Sequence, residues 1–470
     1  MRMRDRHAIA IFCFACALNG ATVGDTISLG RKALFNEGVA TAWKLSQTAL
    51  AEAPESAMAH EFAGEVLFRR GDFAQAEAEF TRATRLDGEL ALGWWGLARI
   101  AECTSMHKTA GQYLRRAHEL DPRDPRIFGD WAMRLHGPEH VEALEKYASM
   151  PDPNRDEEER EALRQHIKLD RSLDGRKLMV LATAYEKTEM PLLKLTNDET
   201  HLRSYGLEVS LNGNKLRLLL DTGASGILIR RAAAEKAGVA RLSDANFRGF
   251  GDAPRLPAGY HGLAERVRIG EVEFHDVLVN VANQDIVTNE DGLIGTDLFA
   301  DFLVTVDFSA EKLRLDLLPD YHPGDDELHD RTIPSPMRNA ARIFRFGHLL
   351  LIPTRVSESR EGLFVIDSGA ARTLISYDMA AEVSKIKRDD RMRVSGISGR
   401  VADVYQTGDL YLQFAGFHQK NLGMTTFAMW DQSRRLGTEV SGFLGLPILN
   451  LFTLTIDYRD GLVNFAYNER

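Results

Sequence analysis

The stretch LRLLLDTGASGILI, residues 216 to 229, decides the fold. It is a run apolar enough for a buried strand, broken by an acid and a tight turn at Asp221-Thr222-Gly223 and resumed at once as Gly226-Ile227-Leu228-Ile229. A single Asp after a strand is explained by a turn in which the carboxylate bonds its own backbone. A second copy of the pattern would make it an acid held at a loop tip between two buried strands.

The second copy is present. GLFVIDSGAARTLIS, residues 362 to 376, overlays the first stretch without a gap, so that Asp367, Ser368 and Gly369 match Asp221, Thr222 and Gly223. The likeness continues downstream. Leu293-Ile294-Gly295 is echoed by Phe443-Leu444-Gly445, and Asp307-Phe308, ending FLVTVDF, is echoed by Asp457-Tyr458, ending FTLTIDY. A β-rich module has been duplicated. Two modules related by a pseudo-twofold bring one carboxylate each to their interface, and like charges at hydrogen-bond range raise one pKa strongly, so the pair keeps one proton near working pH. An ionised and a protonated carboxyl side by side can activate a water and protonate a carbonyl, which is what amide hydrolysis without a covalent intermediate requires. Thr222 and Ser368 supply hydroxyls that tie the two loops together.

At these residues the chain resembles the aspartic proteases. Leu219-Leu220-Asp221-Thr222-Gly223-Ala224 and Val365-Ile366-Asp367-Ser368-Gly369-Ala370 match the active-site loops of that family, and the two apolar-apolar-Gly segments match its support strands. The resemblance covers about residues 195 to 319 and 343 to 470. Module size and the Ala after each D-T/S-G look like the retroviral type, whereas two lobes in one chain is the pepsin-like arrangement. It implies an all-β double-lobed acid-protease domain, Asp221 and Asp367 as catalytic residues, Thr222, Gly223, Ser368 and Gly369 as their support, a peptide or protein substrate, no cofactor and a monomeric catalytic unit. Glycine-containing loops stand where the family has flaps: Gly249 and Gly251 in the first lobe, Gly396 and Gly399 in the second, with Tyr260 and Tyr405 nearby. One departure is plain. Retroviral enzymes have a substrate-gripping acid after D-T-G-A, where this chain has Ser225 and Ala371.

The front third has a different texture. Pro54, Gly88 and Pro122 recur at a spacing of 34 residues, as do Ala42, Ala76 and Ala110, then Ala49, Ala83 and Ala117, then Gly30, Gly64 and Ala98. Small residues at fixed places let paired helices approach closely, and the breaker turns the chain into the next pair. The pattern resembles the tetratricopeptide repeat, best in the copy carrying Trp94, Leu97, Ala98, Ala110, Leu114, Ala117 and Pro122. It implies an all-α TPR-type helical solenoid whose concave face takes a protein partner.

The domain reading is therefore a signal peptide at 1–22, helical repeats at 23–150, a helical connector at 151–187, a first protease lobe at 188–319, a linker at 320–342 and a second lobe at 343–470. The opening MRMRDRH, the apolar run Ala8 to Leu18 and the small residues after it have the three-part layout of a secretory signal, with lipidation of Cys16 as a variant, so an exported, periplasmic or secreted protein is expected. After signal removal Cys103 alone would remain, leaving no intramolecular disulfide. A formal net charge of −10 argues against nucleic acid as a partner, and the mature chain is expected to have no membrane span. His136 and His140 have a ligand-like spacing across a Gly-Pro, but no metal site is assigned. The competing function is a peptide- or protein-binding protein that holds extended chains in a protease-like cleft without cutting them.

Overall fold

The structure is a computed structural model that describes residues 22–469 apart from 37, 184–185, 197–201, 250, 253–255, 285–288, 320–329 and 332. The segment read as a signal peptide, but for its last residue, and part of the inter-lobe linker lie outside the described residues. The chain divides into two compact units, one formed by residues up to 101 with 109–131, the other by 102–108 with 132–470.

The first unit is a helical solenoid. Helices α1 (Val23–Asn36), α2 (Val39–Glu52), α3 (Ala57–Arg69), α4 (Phe73–Leu86), α5 (Ala91–Cys103), α6 (His107–Leu120) and α7 (Pro125–Ala132) succeed one another through short turns. The repeating alanines do what small residues at a helix crossing do. Ala42, Ala49, Ala76, Ala83 and Ala117 have no exposed surface, and Ala42 and Ala49 share a cluster with Ile27, Leu45 and Phe62. Pro54, Gly88 and Pro122 fall just beyond the ends of α2, α4 and α6, where a helix must stop.

The second unit begins with α8 (Gly137–Ser149) and α9 (Glu157–Leu173) and continues as β-structure. The start of α9 is set by a capping box: Asp156 Oδ1 accepts from the Glu159 amide at 2.9 Å and Glu159 Oε2 accepts from the Asp156 amide at 3.0 Å. A nine-stranded sheet belongs to the first lobe and a ten-stranded sheet to the second. A third, six-stranded sheet is shared, in the order Ala341–Arg342, Leu462–Tyr467, Phe452–Asp457, Phe302–Asp307, Lys312–Leu317, Lys187–Pro191. Its middle pair consists of the two duplicated strands, FLVTVD against FTLTID, antiparallel with Thr305 opposite Thr455 and their hydroxyls 3.3 Å apart. The pseudo-twofold of the duplication passes there. Side chains of both lobes, such as Leu220, Val304, Ile366 and Ile456, belong to one buried cluster, so the lobes share a core.

That sheet also buries an acid. Asp457 has no exposed surface, and its Oδ1 accepts from the Asp460 amide at 3.0 Å while Oδ2 has no hydrogen-bond partner among the described residues. Burial, with the Asp460 charge added, pushes its pKa up to about 6. A folded-state value above the unfolded one means that the native state holds the proton more tightly, so this stability is full below about pH 4 and lost as pH rises through about 6. At pH 7 the ionised form costs about 2–3 kcal/mol. Asp457→Asn is therefore expected to stabilise the protein at pH 7 and to leave it nearly unchanged at pH 4, as urea denaturation at the two pH values would measure.

Candidate active site

The strand Asn214–Asp221 exposes Lys215 and Arg217 on one face at its start and is apolar on both faces at its end, Leu218 to Leu220, where both faces are covered. Leu216, Leu218 and Leu220 enter the main core, while Leu219 joins a separate cluster with Leu195, Leu228 and Leu293. Beside it, in parallel, runs Gly292–Gly295, with Asp221 opposite Gly295. The second lobe repeats this: Glu361–Asp367 lies parallel to Gly442–Gly445, with Asp367 opposite Gly445. Each acid thus emerges at the end of a strand clamped on a short apolar-apolar-Gly support.

The two acid loops are laced together. Thr222 N donates to Ser368 Oγ at 3.0 Å and Ser368 N to Thr222 Oγ1 at 2.9 Å. Each hydroxyl then donates to the opposite strand, Thr222 Oγ1 to Ile366 O at 2.8 Å and Ser368 Oγ to Leu220 O at 2.9 Å. All four groups are buried, so no water competes for them. The lacing carries each carboxyl across to the other loop. A Cβ on Gly223 would stand 2.9 Å from Asp367 Cγ, and one on Gly369 only 2.5 Å from Asp221 Cγ. Only glycine leaves that space. Backbone amides orient the acids, Gly223 N to Asp221 Oδ1 at 2.8 Å and Ala370 N to Asp367 Oδ1 at 2.8 Å.

The electrostatics are those of a buried like-charged pair. Burial raises the pKa of both carboxyls, and that of Asp367 rises well above the ordinary range because it also feels the Asp221 charge. Asp221 gains an opposing influence from His348, whose positive form favours the ionised carboxylate. Two such carboxyls titrate as a pair, and the charge on one makes the other hold its proton.

Two neighbours of the pair are not visible in the motifs. Asp297 accepts from Ser225 Oγ at 2.8 Å and from Gly226 N at 2.9 Å, pinning the first loop just past the acid. Ser225, standing where the retroviral enzymes have an acid, is thus engaged with a carboxylate of its own lobe. The hint lay in the unlike halves, since Thr296-Asp297 follows the first support glycine and Leu446-Pro447 the second. His348 comes from the turn between the strands Phe344–Phe346 and Leu349–Val356, and burial holds its pKa below the usual imidazole value against the pull of Asp297 and Asp221. Nothing in its local sequence announces it.

The glycine loops of the two lobes meet each other. Gly249 N donates to Ser398 Oγ at 3.0 Å, Asp252 N to Arg400 O at 3.2 Å, and Ala402 N to Asp252 Oδ2 at 2.8 Å. Gly251 abuts the carbonyls of Ser398 and Gly399, while Gly396 and Gly399 pair in a two-residue hairpin whose Ile397 packs with Ala224 and Phe247. Tyr260 is buried beneath Arg241, and Tyr405 packs edge-on against Tyr377. The helix α9 reaches the same region: Gln165 Oε1 accepts from Asn246 N at 3.1 Å, Glu158 pairs with Arg248, and Asp156 pairs with Arg434 of the second lobe at 2.9 Å.

Residues 207–301, which hold the first acid loop and its support strand, match the family model described as "gag-polyprotein putative aspartyl protease". The chain carries an aspartic protease-like domain. It is also similar to DNA damage-inducible protein 1 of Kluyveromyces lactis, 23% identical over 134 residues, 27% of this chain and 31% of that protein. The protein of the same name from Eremothecium gossypii is 26% identical over 109 residues, 23% of this chain and 22% of that one. The chain thus spans less than a third of the length of these curated relatives. Among solved structures, an aspartic proteinase from Irpex lacteus superposes with a TM-score of 0.38 at 15% identity, over 60% of this chain and 97% of that one. A mutant O-GlcNAc transferase of Thermobaculum terrenum superposes with a TM-score of 0.24 at 20% identity, over 27% of this chain and 25% of that one.

The relatives correct one expectation. Export was inferred from a basic start followed by an apolar run. Both curated relatives are named for induction by DNA damage, a response inside the cell, and that overturns the exported, periplasmic or secreted assignment. An eleven-residue apolar run has no unique meaning, because length and polarity alone do not separate a signal from other apolar N-terminal segments. No helix among the described residues is long and apolar enough to cross a membrane.

Proposed function

We propose that the protein is an aspartic endopeptidase whose catalytic pair, Asp221 and Asp367, is completed within one chain. The observation that carries this reading is the crossing of the two carboxyls, each lying over the other loop's glycine and each with its pKa raised. A peptide-binding cleft has no use for two buried acids facing each other, since their desolvation and repulsion only cost stability.

In the mechanism that follows, a water between the carboxyls gives a proton to Asp221 as its oxygen attacks the scissile carbonyl carbon, and Asp367 gives its proton to the carbonyl oxygen. The gem-diol then collapses. The C–N bond breaks, the proton on Asp221 goes to the leaving nitrogen, and a diol hydroxyl returns a proton to Asp367, restoring the starting state. Thr222 and Ser368 hold the geometry without touching substrate. The loops around Gly249–Gly251 and Gly396–Gly399 are the flaps, which exclude water from the acids when a peptide lies beneath them. We assign the 34-residue helical repeats to the tetratricopeptide type and to docking of a substrate or partner protein on their concave face.

Digestion of an unbiased peptide library, with products read by mass spectrometry from pH 3 to pH 8, tests the activity. Cleavage with a bell-shaped pH dependence is expected, its acid limb set by Asp221 and its basic limb by Asp367. Because both acids are raised by burial, and because Ala224 and Ala370 donate no side-chain hydrogen bond to the charged form, the optimum should be less acidic than in pepsin-like enzymes. Absence of cleavage at every pH leaves the binding-protein function instead. The profile also assigns His348. His348→Gln removes an imidazole whose positive form favours ionised Asp221, so the acid limb should move up in pH while the basic limb stays. An unmoved acid limb would show that His348 only fills space.

A further inference from the structure

We propose that His140, His166 and Asp170 form a site for a divalent transition-metal ion, zinc by the character of its ligands, between helices α8 and α9. His166 and Asp170 stand four residues apart on α9 and so share one face of it, and His140 comes from the first turn of α8, which packs against that face. The three ligand atoms lie within 4.8 Å of one another. His140 Nε2 is 3.3 Å and His166 Nε2 3.4 Å from the same Asp170 oxygen, Oδ2. Those two separations match a metal site: ligands bonded to zinc at about 2.1 Å in a tetrahedron stand about 3.4 Å from each other along its edge.

The orientation of the ring agrees. His140 Nδ1 lies 2.8 Å from the carbonyl oxygen of Ala132, which can only accept, so Nδ1 carries a hydrogen and Nε2 is the nitrogen turned toward Asp170. An imidazole held by a backbone carbonyl on its far nitrogen is the usual arrangement of a metal-ligating histidine. On α9, His166 Nε2 and Asp170 Oδ2 are both shut off from solvent and neither makes a hydrogen bond among the described residues. Two imidazole nitrogens and a carboxylate oxygen therefore converge on one point, an arrangement that a bound cation satisfies. Two imidazoles and a carboxylate suit zinc, cobalt or nickel rather than calcium or magnesium, which take oxygen ligands. Three protein ligands leave a fourth position for water on the half-exposed side of His166.

The place gives the ion something to do. Gln165, beside His166, accepts from the backbone of Asn246 at the base of the first flap loop, and Glu158 on the same helix pairs with Arg248 within that loop. An ion joining α8 to α9 fixes the helix on which the flap loop leans. His136, which the sequence spacing pairs with His140, is only the residue preceding α8 and is not among the three ligands.

The test uses the full chain stripped of metal with a chelator. Titration with Zn²⁺ by calorimetry and with Co²⁺ by visible absorption should give one ion per chain, and the cobalt form should show the intense bands of four-coordinate geometry. His166→Gln and Asp170→Asn should each weaken binding about 100-fold or more, whereas His136→Gln should not. Metal-free circular dichroism and melting establish whether each variant folds. If one does not, the wild-type cobalt spectrum decides alone. Weak octahedral bands, absence of binding, affinity unchanged in His166→Gln and Asp170→Asn, or equal loss in His136→Gln would each overturn the site.

Discussion

Asp221→Asn and Asp367→Asn are each expected to lower turnover by about 10⁴-fold or more, because the remaining carboxyl cannot be acid and base at once. The same substitutions should not weaken the fold. Both carboxyls have raised pKa values, so each contributes a stability that is full below the unfolded value near pH 4 and lost as pH rises through its folded value. The sign predicts that Asp367→Asn, which removes the more strongly raised acid, increases the melting temperature at pH 7 while abolishing activity, and that the gain shrinks toward pH 4. Activity and melting curves on the same preparations check both halves. A variant that loses activity and stability together at pH 7 would mean that the loss reflects unfolding, not missing chemistry.

Gly369→Ala is the second large effect. The added methyl would need to stand 2.5 Å from Asp221 Cγ, and the loop cannot retreat because Ser368 is held by the Thr222 hydroxyl and the Leu220 carbonyl. The carboxyl must move, by something near an ångström. Displacement of a reacting group on that scale costs about 10²-fold or more in rate. Gly223→Ala should behave similarly but less severely, since its methyl would stand 2.9 Å from Asp367 Cγ. kcat should fall in both, with far-UV circular dichroism unchanged. Full activity in Gly369→Ala would show that the carboxyls do not cross as described.

The acid loops were legible because their requirements are local and stated twice. A strand buried on both faces reads as a continuous apolar run, a glycine reads where a carboxyl must pass, and Leu293-Ile294-Gly295 with Phe443-Leu444-Gly445 repeat the support. The helical repeats were legible for a similar reason, since Ala42, Ala76 and Ala110 sit where helices cross. What escaped depends on pairings far apart in the chain. Asp297 and His348 act on the first acid loop from a short helical turn and a β-turn elsewhere in the chain, and neither has a local pattern that says so. Two glycine loops can be located as flap candidates, but no spacing shows that Gly251 will rest on the carbonyls of Ser398 and Gly399. The segment at 151–187 read only as a helical connector. Its capping box and its ion pairs with Arg248 and Arg434 make it a brace on both lobes. His140 drew notice for the wrong neighbour, since the fold sets beside it residues from the next helix, not His136.

The central claim is that one chain holds a whole two-carboxylate protease site. Cleavage of a library-derived peptide, measured over a dilution series for the wild type, for Asp221→Asn, for Asp367→Asn and for an equal mixture of the two variants, tests it most directly. The account predicts wild-type specific activity that does not change with dilution and no activity in either variant or in their mixture. Restoration of activity by mixing, collapse of the wild-type rate on dilution, or cleavage that survives in a variant would contradict it.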